Sequence, residues 1–112
     1  SDPAELIETA KRVLAKGKLE VAENYLIRAM RTVMLDNSYK RSPEPYRYLA
    51  EVLERKAQDK NLELPQRQRF LLQAAALYNF VRNFLKTLLP YRSKLSSGIY
   101  TSKESKLRQL SM

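Results

Sequence analysis

The apolar residues of this chain recur at helical spacing in several separate stretches. Two of these stretches lie 40 positions apart and share the order large, small, large: Leu6, Ala10 and Val13, then Tyr46, Ala50 and Leu53. Residues spaced by four and three positions lie on one side of an α-helix. Small residues at such positions allow two helix backbones to approach closely. The repetition predicts stacked helical hairpins, which are typical of interaction scaffolds rather than of catalytic sites.

Capping signals give the limits of a first pair of helices. Asp2 and Pro3 are typical of a helix N-terminus, and Gly17 fits the left-handed C-terminal cap. A second helix is predicted from Lys18 to the turn-prone residues 36–38. Because the link between the two helices has only about two residues, they are expected to form an antiparallel hairpin.

A second pair of helices is predicted in the following half. Ser42 and Pro43 begin a third helix, and residues 58–64 form a loop. Pro65 opens a fourth helix of about 24 residues, which ends just before Pro90. This fourth helix carries apolar residues on more than one side, a pattern expected of a helix that packs against several neighbours.

The predicted organisation is a helical hairpin domain at residues 1–90, followed by a basic, serine-rich segment at residues 91–112. Thr101 and Glu104 have the spacing of a capping box, which predicts a short last helix from Ser102. The expected fold class is therefore all-α, with two antiparallel helical hairpins and a short C-terminal helix.

Part of the pattern resembles the tetratricopeptide repeat family, in which two-helix units stack side by side. Helix A of that family carries bulky residues around a small one, and helix B carries two alanines around a bulky residue. The similar segments are Tyr46-x-x-Leu49-Ala50-x-x-Leu53 for helix A and Ala22-x-x-x-Leu26-x-x-Ala29 for helix B, with weaker counterparts in Leu6, Ala10 and Val13 and in Ala74-x-x-x-Tyr78-x-x-Val81. The main resemblance covers residues 4–57.

The chain departs from the family pattern in three respects. Alanine replaces the family glycine, about a dozen extra residues precede the second helix B, and the period is 40 rather than roughly 34. A helical bundle without repeats, which uses alanine for the same close approach, is the alternative.

The resemblance implies a concave groove lined by side chains of the A helices. The corresponding positions are Ile7, Lys11, Leu14, Arg47, Glu51 and Glu54. The family's best-known groove binds a C-terminal carboxylate, which Glu51 and Glu54 would repel. A mixed-charge or apolar peptide is more compatible with this set, and an ordinary solvated helix face is the alternative.

The composition excludes several kinds of site. The chain has 112 residues, of which 44% are hydrophobic and 29% are charged, as in one globular domain. Cysteine and histidine are both absent, which rules out thiol chemistry, thiolate or imidazole metal ligands and a histidine general base. We therefore expect neither an enzyme nor a bound metal or cofactor. With no cysteine, no secretory signal and no apolar run near the ~20 residues of a membrane span, a cytoplasmic location is expected, with the nucleus as alternative.

Nearly all of the net charge lies in the C-terminal part of the chain. Residues 65–112 carry +8 of the net +9, and no carboxylate occurs between Leu64 and Lys103. The candidate basic surface consists of Arg67, Arg69, Arg82, Lys86, Arg92 and Lys94, followed by Lys103, Lys106 and Arg108. An acidic segment of a protein partner is the favoured ligand. Phosphate of nucleic acid or of an anionic membrane is less favoured as a ligand, because no nucleic-acid recognition motif is present. A solvated surface without a specific ligand is the third interpretation of these residues.

A last set of apolar residues lies on the polar side of the fourth helix. Leu72, Ala76 and Phe80 are expected to contact a second copy of the chain or further repeats, since two hairpins are fewer than the roughly three that repeat proteins need. The sequence thus predicts a protein-interaction module or adaptor, and a phosphate-directed binder is the alternative function.

Overall fold

Five α-helices make up the part of the chain that the computed structural model describes, residues 2–35, 42–88 and 103–111. They are α1 (Pro3–Ala15), α2 (Leu19–Leu35), α3 (Glu44–Lys56), α4 (Leu64–Leu88) and α5 (103–111). These residues contain no β-strand. The all-α class and the short C-terminal helix are confirmed. The predicted boundary at residue 90 and the serine-rich stretch 91–102 lie outside the described residues.

The helix ends follow from local capping chemistry. The Asp2 carboxylate accepts a hydrogen bond of 3.0 Å from the backbone N–H of Ala4, and Pro3 occupies the first turn of α1. Gly17 has a φ of 77° and nothing within 4 Å of the position of a Cβ. Glycine is therefore favoured there by the left-handed backbone and not by a lack of space. At the start of α3, the N–H of Glu44 donates to the Ser42 hydroxyl at 3.2 Å.

Small residues lie where the helices come closest. Ala22, Ala29, Ala50 and Ala74 have no exposed surface. They belong to core clusters that include residues of α1, α2, α3 and α4. In this core α1 packs with α2, α2 with α3, and α3 with α4, and α1 makes a smaller contact with α3. Close packing of this kind leaves no room for larger side chains, so the alanines set the distances between the helices.

The fourth helix packs on more than one side, as its apolar pattern predicts. Ala75 has no exposed surface and belongs to the same core cluster as Leu107 of α5. Leu107 itself is 4% exposed, and Ser111 is also buried. The last helix therefore packs on the core through one side. None of the described helices combines the length and the hydropathy needed to cross a membrane.

Candidate functional site

Two of the predicted groove residues lie inside the core. Ile7 is 7% exposed and packs in a cluster with Leu6 and Ala29, while Leu14 is 4% exposed. Neither side chain is accessible to a partner in this arrangement, so both are removed from the candidate groove. Their positions came from the register of the repeat family that the sequence resembles, whereas burial here depends on how α1 is rotated against its neighbours.

Lys11 is accessible at its tip, but intramolecular partners surround it. Its ammonium lies 3.0 Å from the carboxylate of Glu8, 3.4 Å from that of Glu44 and 5.1 Å from the centre of the Tyr48 ring. The hydrogen bond to Glu8 and the nearby negative charges raise the pKa of Lys11. Arg47 lies 5.2 Å from the same ring. Tyr48 is thus flanked by two cations, and Lys11 connects α1 to α3.

The next part of the predicted groove also serves internal contacts. Glu51 forms an ion pair of 3.4 Å with Arg55, which donates to the backbone carbonyl of Leu14 at 3.1 Å. On the neighbouring side of α3, Lys56 and Glu23 form an ion pair of 2.8 Å that links α3 to α2. Glu51 and Lys56 therefore each have a partner of opposite charge within the chain.

Glu54, the last predicted groove residue, lies at the junction of α3, α4 and α5. It accepts a hydrogen bond from the Tyr78 hydroxyl and pairs with the Lys103 ammonium at 3.2 Å. Lys103 also lies 4.7 Å from the centre of the Tyr78 ring. Burial of Tyr78, followed by its hydrogen bond to Glu54, raises the pKa of that tyrosine. Glu54 is therefore a partner of α5.

A second polar cluster attaches α5 to α4. The Glu104 carboxylate lies 3.7 Å from the Arg82 guanidinium and 3.2 Å from that of Arg108, and Arg82 also donates to the side chain of Asn79. Arg82, predicted as part of the basic surface, thus holds the last helix in place. This role of Glu104 was not predicted from the sequence. Its isolation as the single acid of a basic stretch was the available signal, because a lone acid there has cations as its natural neighbours.

The remaining basic candidates that the structure describes are Arg67, Arg69 and Lys86. Arg67, near the start of α4, donates to the backbone carbonyl of Asp59 at 3.1 Å. Arg69 and Lys86 are exposed on the side of α4 that points away from the core. Arg92 and Lys94 lie outside the described residues. Of the described candidates, Arg67 therefore lies on a different side of α4 from Arg69 and Lys86.

The exposed side of α4 combines these cations with apolar side chains. Leu72 is 46% exposed, Phe80 is 44% exposed, and Ala76 lies exposed between them. The three are four residues apart, so they form a stripe about 12 Å long on one side of the helix. We define the outer face of α4 as Arg69, Leu72, Ala76, Phe80 and Lys86.

Aromatic side chains extend this stripe toward the start of α3. The rings of Tyr46 and Phe80 are 4.4 Å apart between centres and inclined by 39°, and Phe84 lies 6.4 Å from Phe80. Offset and tilted rings at such distances stabilise each other. The phenyl ring of Phe80 is therefore held in place while nearly half of its surface stays exposed.

Within the described residues, no group of three or more acidic side chains is placed to hold a metal ion. Comparisons of the chain with protein families, with curated proteins and with solved structures gave no match. The function is therefore inferred from the side chains that this chain exposes.

Proposed function

We propose that this protein is a non-catalytic protein-interaction module whose basic C-terminal half engages an acidic segment of a partner protein. The observation that carries the proposal is the outer face of α4, where two large apolar side chains are exposed between cations. No carboxylate occurs along the 25 residues of α4. A surface with one sign of charge steers oppositely charged segments toward it.

The chemistry of this face defines its partner. Leu72 and Phe80 offer an exposed apolar surface that apolar side chains of a partner would cover. Arg69 and Lys86 lie beyond the two ends of this apolar stripe. An amphipathic segment with apolar residues on one side and carboxylates at its margins complements this arrangement. A second copy of the chain is a poorer partner, because two positive faces would meet and repel each other.

The scaffold is proposed to be tetratricopeptide-like, with α1 and α2 as a first antiparallel hairpin and α3 and α4 as a second. Three observations support this assignment: the three-residue link between α1 and α2, the smaller contact of α1 with α3, and the buried alanines between the helices. In this arrangement α5 covers the end of the second hairpin. A cytoplasmic or nuclear location is part of the proposal.

A phosphate-directed binder is the second candidate function, since exposed cations without acids also attract nucleic acid or anionic lipid. The two functions differ in their response to salt. Binding through phosphate contacts alone falls steeply between about 50 and about 200 mM salt, because each contact releases counterions. Binding that includes apolar contacts depends less on salt.

The test is a selection of displayed random peptides on the immobilised protein. The proposal predicts enrichment of sequences that combine several Asp or Glu residues with bulky apolar residues. Peptides that bind the outer face should lose most of their affinity on the Phe80→Ser variant and keep it on Val21→Ser, a matched change at a valine of α2 that is 42% exposed. Single-stranded DNA and vesicles containing phosphatidylserine serve as rival probes. Steeply salt-dependent binding of either probe, without peptide enrichment, would replace the proposal with the phosphate-directed function.

A further inference from the structure

We infer that a cleft between α3, α4 and α5 forms a second peptide-binding site, which takes a short acidic segment with bulky apolar side chains. The site is separate from the outer face of α4. The inference rests on the proposed function in one respect, since the ligand belongs to the same acidic class. It goes beyond the proposed function by naming a concave surface in which such a segment binds.

The cleft is large enough for a peptide. Its volume is about 870 Å³, within the range of established ligand pockets. It is lined by the C-terminal end of α3, the loop that follows, the first turns of α4 and one side of α5. Because α5 supplies one wall, the cleft depends on the docking of that helix, to which the buried Leu107 and the pairs Glu54–Lys103 and Glu104–Arg82 contribute.

Apolar side chains converge in this cleft. Leu71 and Leu107 belong to the buried core, with 8% and 4% of their surface exposed, and both line the cleft. Leu64 and Leu110 line it as well, and they are 63% and 62% exposed, more than any other large apolar side chain in the described ranges. A single exposed leucine is ordinary. Two that line the same concave surface indicate a contact site for apolar groups.

The charges around the cleft are mainly positive. Lys60, Arg67, Lys103 and Lys106 line it, against Glu54 as its acid. The Glu54 carboxylate is already engaged by Lys103 and by the Tyr78 hydroxyl. The lining therefore keeps an excess positive charge next to its apolar surface.

Arg67 also has unused hydrogen-bonding capacity in this region. One terminal nitrogen of its guanidinium donates to the carbonyl of Asp59, whereas its Nε is buried without a hydrogen-bond partner among the residues that the structure describes. Buried donors are nearly always paired in folded proteins. A carboxylate placed in the cleft beside the guanidinium balances its charge.

These features together select the chemistry of the ligand. The leucines require bulky apolar side chains, and the cations require carboxylates next to them. The stretch of this chain that leads into α5 contains no carboxylate from Leu64 to Lys103. A partner protein, and not this neighbouring stretch, therefore supplies the matching charges.

The test uses the full chain with the outer face disabled by Leu72→Ser and Phe80→Ser. Displayed random peptides are selected on this variant, and the affinities of the enriched peptides are measured by fluorescence anisotropy. We expect acidic, apolar peptides whose affinity falls about tenfold or more when Leu64→Ser and Leu110→Ser are added, as for loss of hot-spot contacts. Lys60→Gln with Lys106→Gln should also weaken binding, whereas Val21→Ser should not. All of these side chains are exposed, and circular dichroism checks that each variant keeps its helical content.

The possible failures are distinguishable. If the wild-type chain enriches acidic peptides and the variant with the disabled outer face enriches none, the cleft inference is wrong and the proposed function stands. If the wild-type chain enriches none, both are wrong. If inorganic phosphate displaces the peptides and the leucine changes have no effect, the cleft is a phosphate site and the inference is overturned.

Discussion

The guanidinium of Arg55 donates a hydrogen bond of 3.1 Å to the backbone carbonyl of Leu14, 41 positions earlier in the chain. The last carbonyls of a helix have no partner within that helix, and a cation is favourable near them because of the helix dipole. Arg55 of α3 therefore adds a second hydrogen bond to a carbonyl at the C-terminal end of α1 that already accepts one of 2.9 Å from the backbone N–H of Gly17. This contact, together with the pairing of Lys11 and Glu44, connects the first pair of helices to the second.

Replacing Arg55 with Met should destabilise the fold while keeping most of the apolar stem. The expected loss is about 1 kcal/mol in the free energy of unfolding, because one charge-assisted hydrogen bond at a partly buried carbonyl is removed. Urea denaturation measures it. Arg31→Met, at an exposed position of α2, is the matched control and should change stability by less than about 0.5 kcal/mol. Equal effects of the two changes would show that the Leu14 contact contributes nothing.

The buried alanines should not tolerate larger side chains. Ala50→Leu is expected to lower the free energy of unfolding by about 1–3 kcal/mol, because three additional carbons must enter a closely packed contact between helices. Ala76→Leu adds the same atoms at an exposed position of α4 and should be nearly neutral. Urea denaturation of both variants makes the comparison. A nearly neutral Ala50→Leu would mean that the helices are not held at the distance the structure shows.

Tyr78 should make stability fall at alkaline pH. Its pKa is raised in the folded state by burial and by the bond to Glu54, so the native tyrosine keeps its proton while an unfolded tyrosine ionises near pH 10. Its contribution is fully present below about pH 10 and is lost as the pH rises further, by at most about 1.4 kcal/mol per pH unit.

The Tyr78→Phe variant lacks this proton, so its free energy of unfolding should decrease less steeply than that of the wild type between about pH 9 and about pH 11. Urea denaturation across this range gives both curves. Parallel curves would contradict the assigned environment of Tyr78.

Docking of α5 should depend on Leu107. Leu107→Ala removes the buried leucine of that helix, and we expect amide hydrogens of residues 103–111 to exchange at least tenfold faster, since loss of a buried leucine costs about 2–5 kcal/mol. Leu110→Ala removes the same atoms from a side chain that is 62% exposed and should change exchange little. Hydrogen exchange followed by mass spectrometry makes this measurement. Unchanged exchange in the Leu107 variant would show that the polar contacts of Glu104 alone hold the helix.

Local features of the fold were predictable from the sequence because they depend on neighbouring residues. Asp2 and Gly17 define the ends of α1 through backbone chemistry that operates within a few positions. The spacing of Ala22 and Ala29 indicates a contact side whatever the partner helix is. Leu72 and Phe80 also lie on the exposed side of α4, where the sequence analysis placed them.

Pairings between distant elements were not predictable in the same way. Glu54 and Arg82 looked like exposed charges on their own helices, and only the docking of α5 brings Lys103 and Glu104 to them. Ile7 was assigned to a groove by resemblance, but its burial depends on the rotation of α1 about its axis, which the whole core determines. The cleft likewise has walls from three separate helices, so neither Leu64 nor Leu110 indicates it alone.

The central claim is that the C-terminal half recognises an acidic segment through apolar contacts as well as through charge. The most direct measurement is the affinity of a peptide enriched on a chain whose cleft is disabled by Leu64→Ser and Leu110→Ser, determined at about 50 and about 200 mM salt for that chain and for the same chain with Phe80→Ser. We predict a modest loss of affinity with salt and a loss of about tenfold or more with the substitution. A loss of about a thousandfold with salt, and no effect of Phe80→Ser, would contradict the claim.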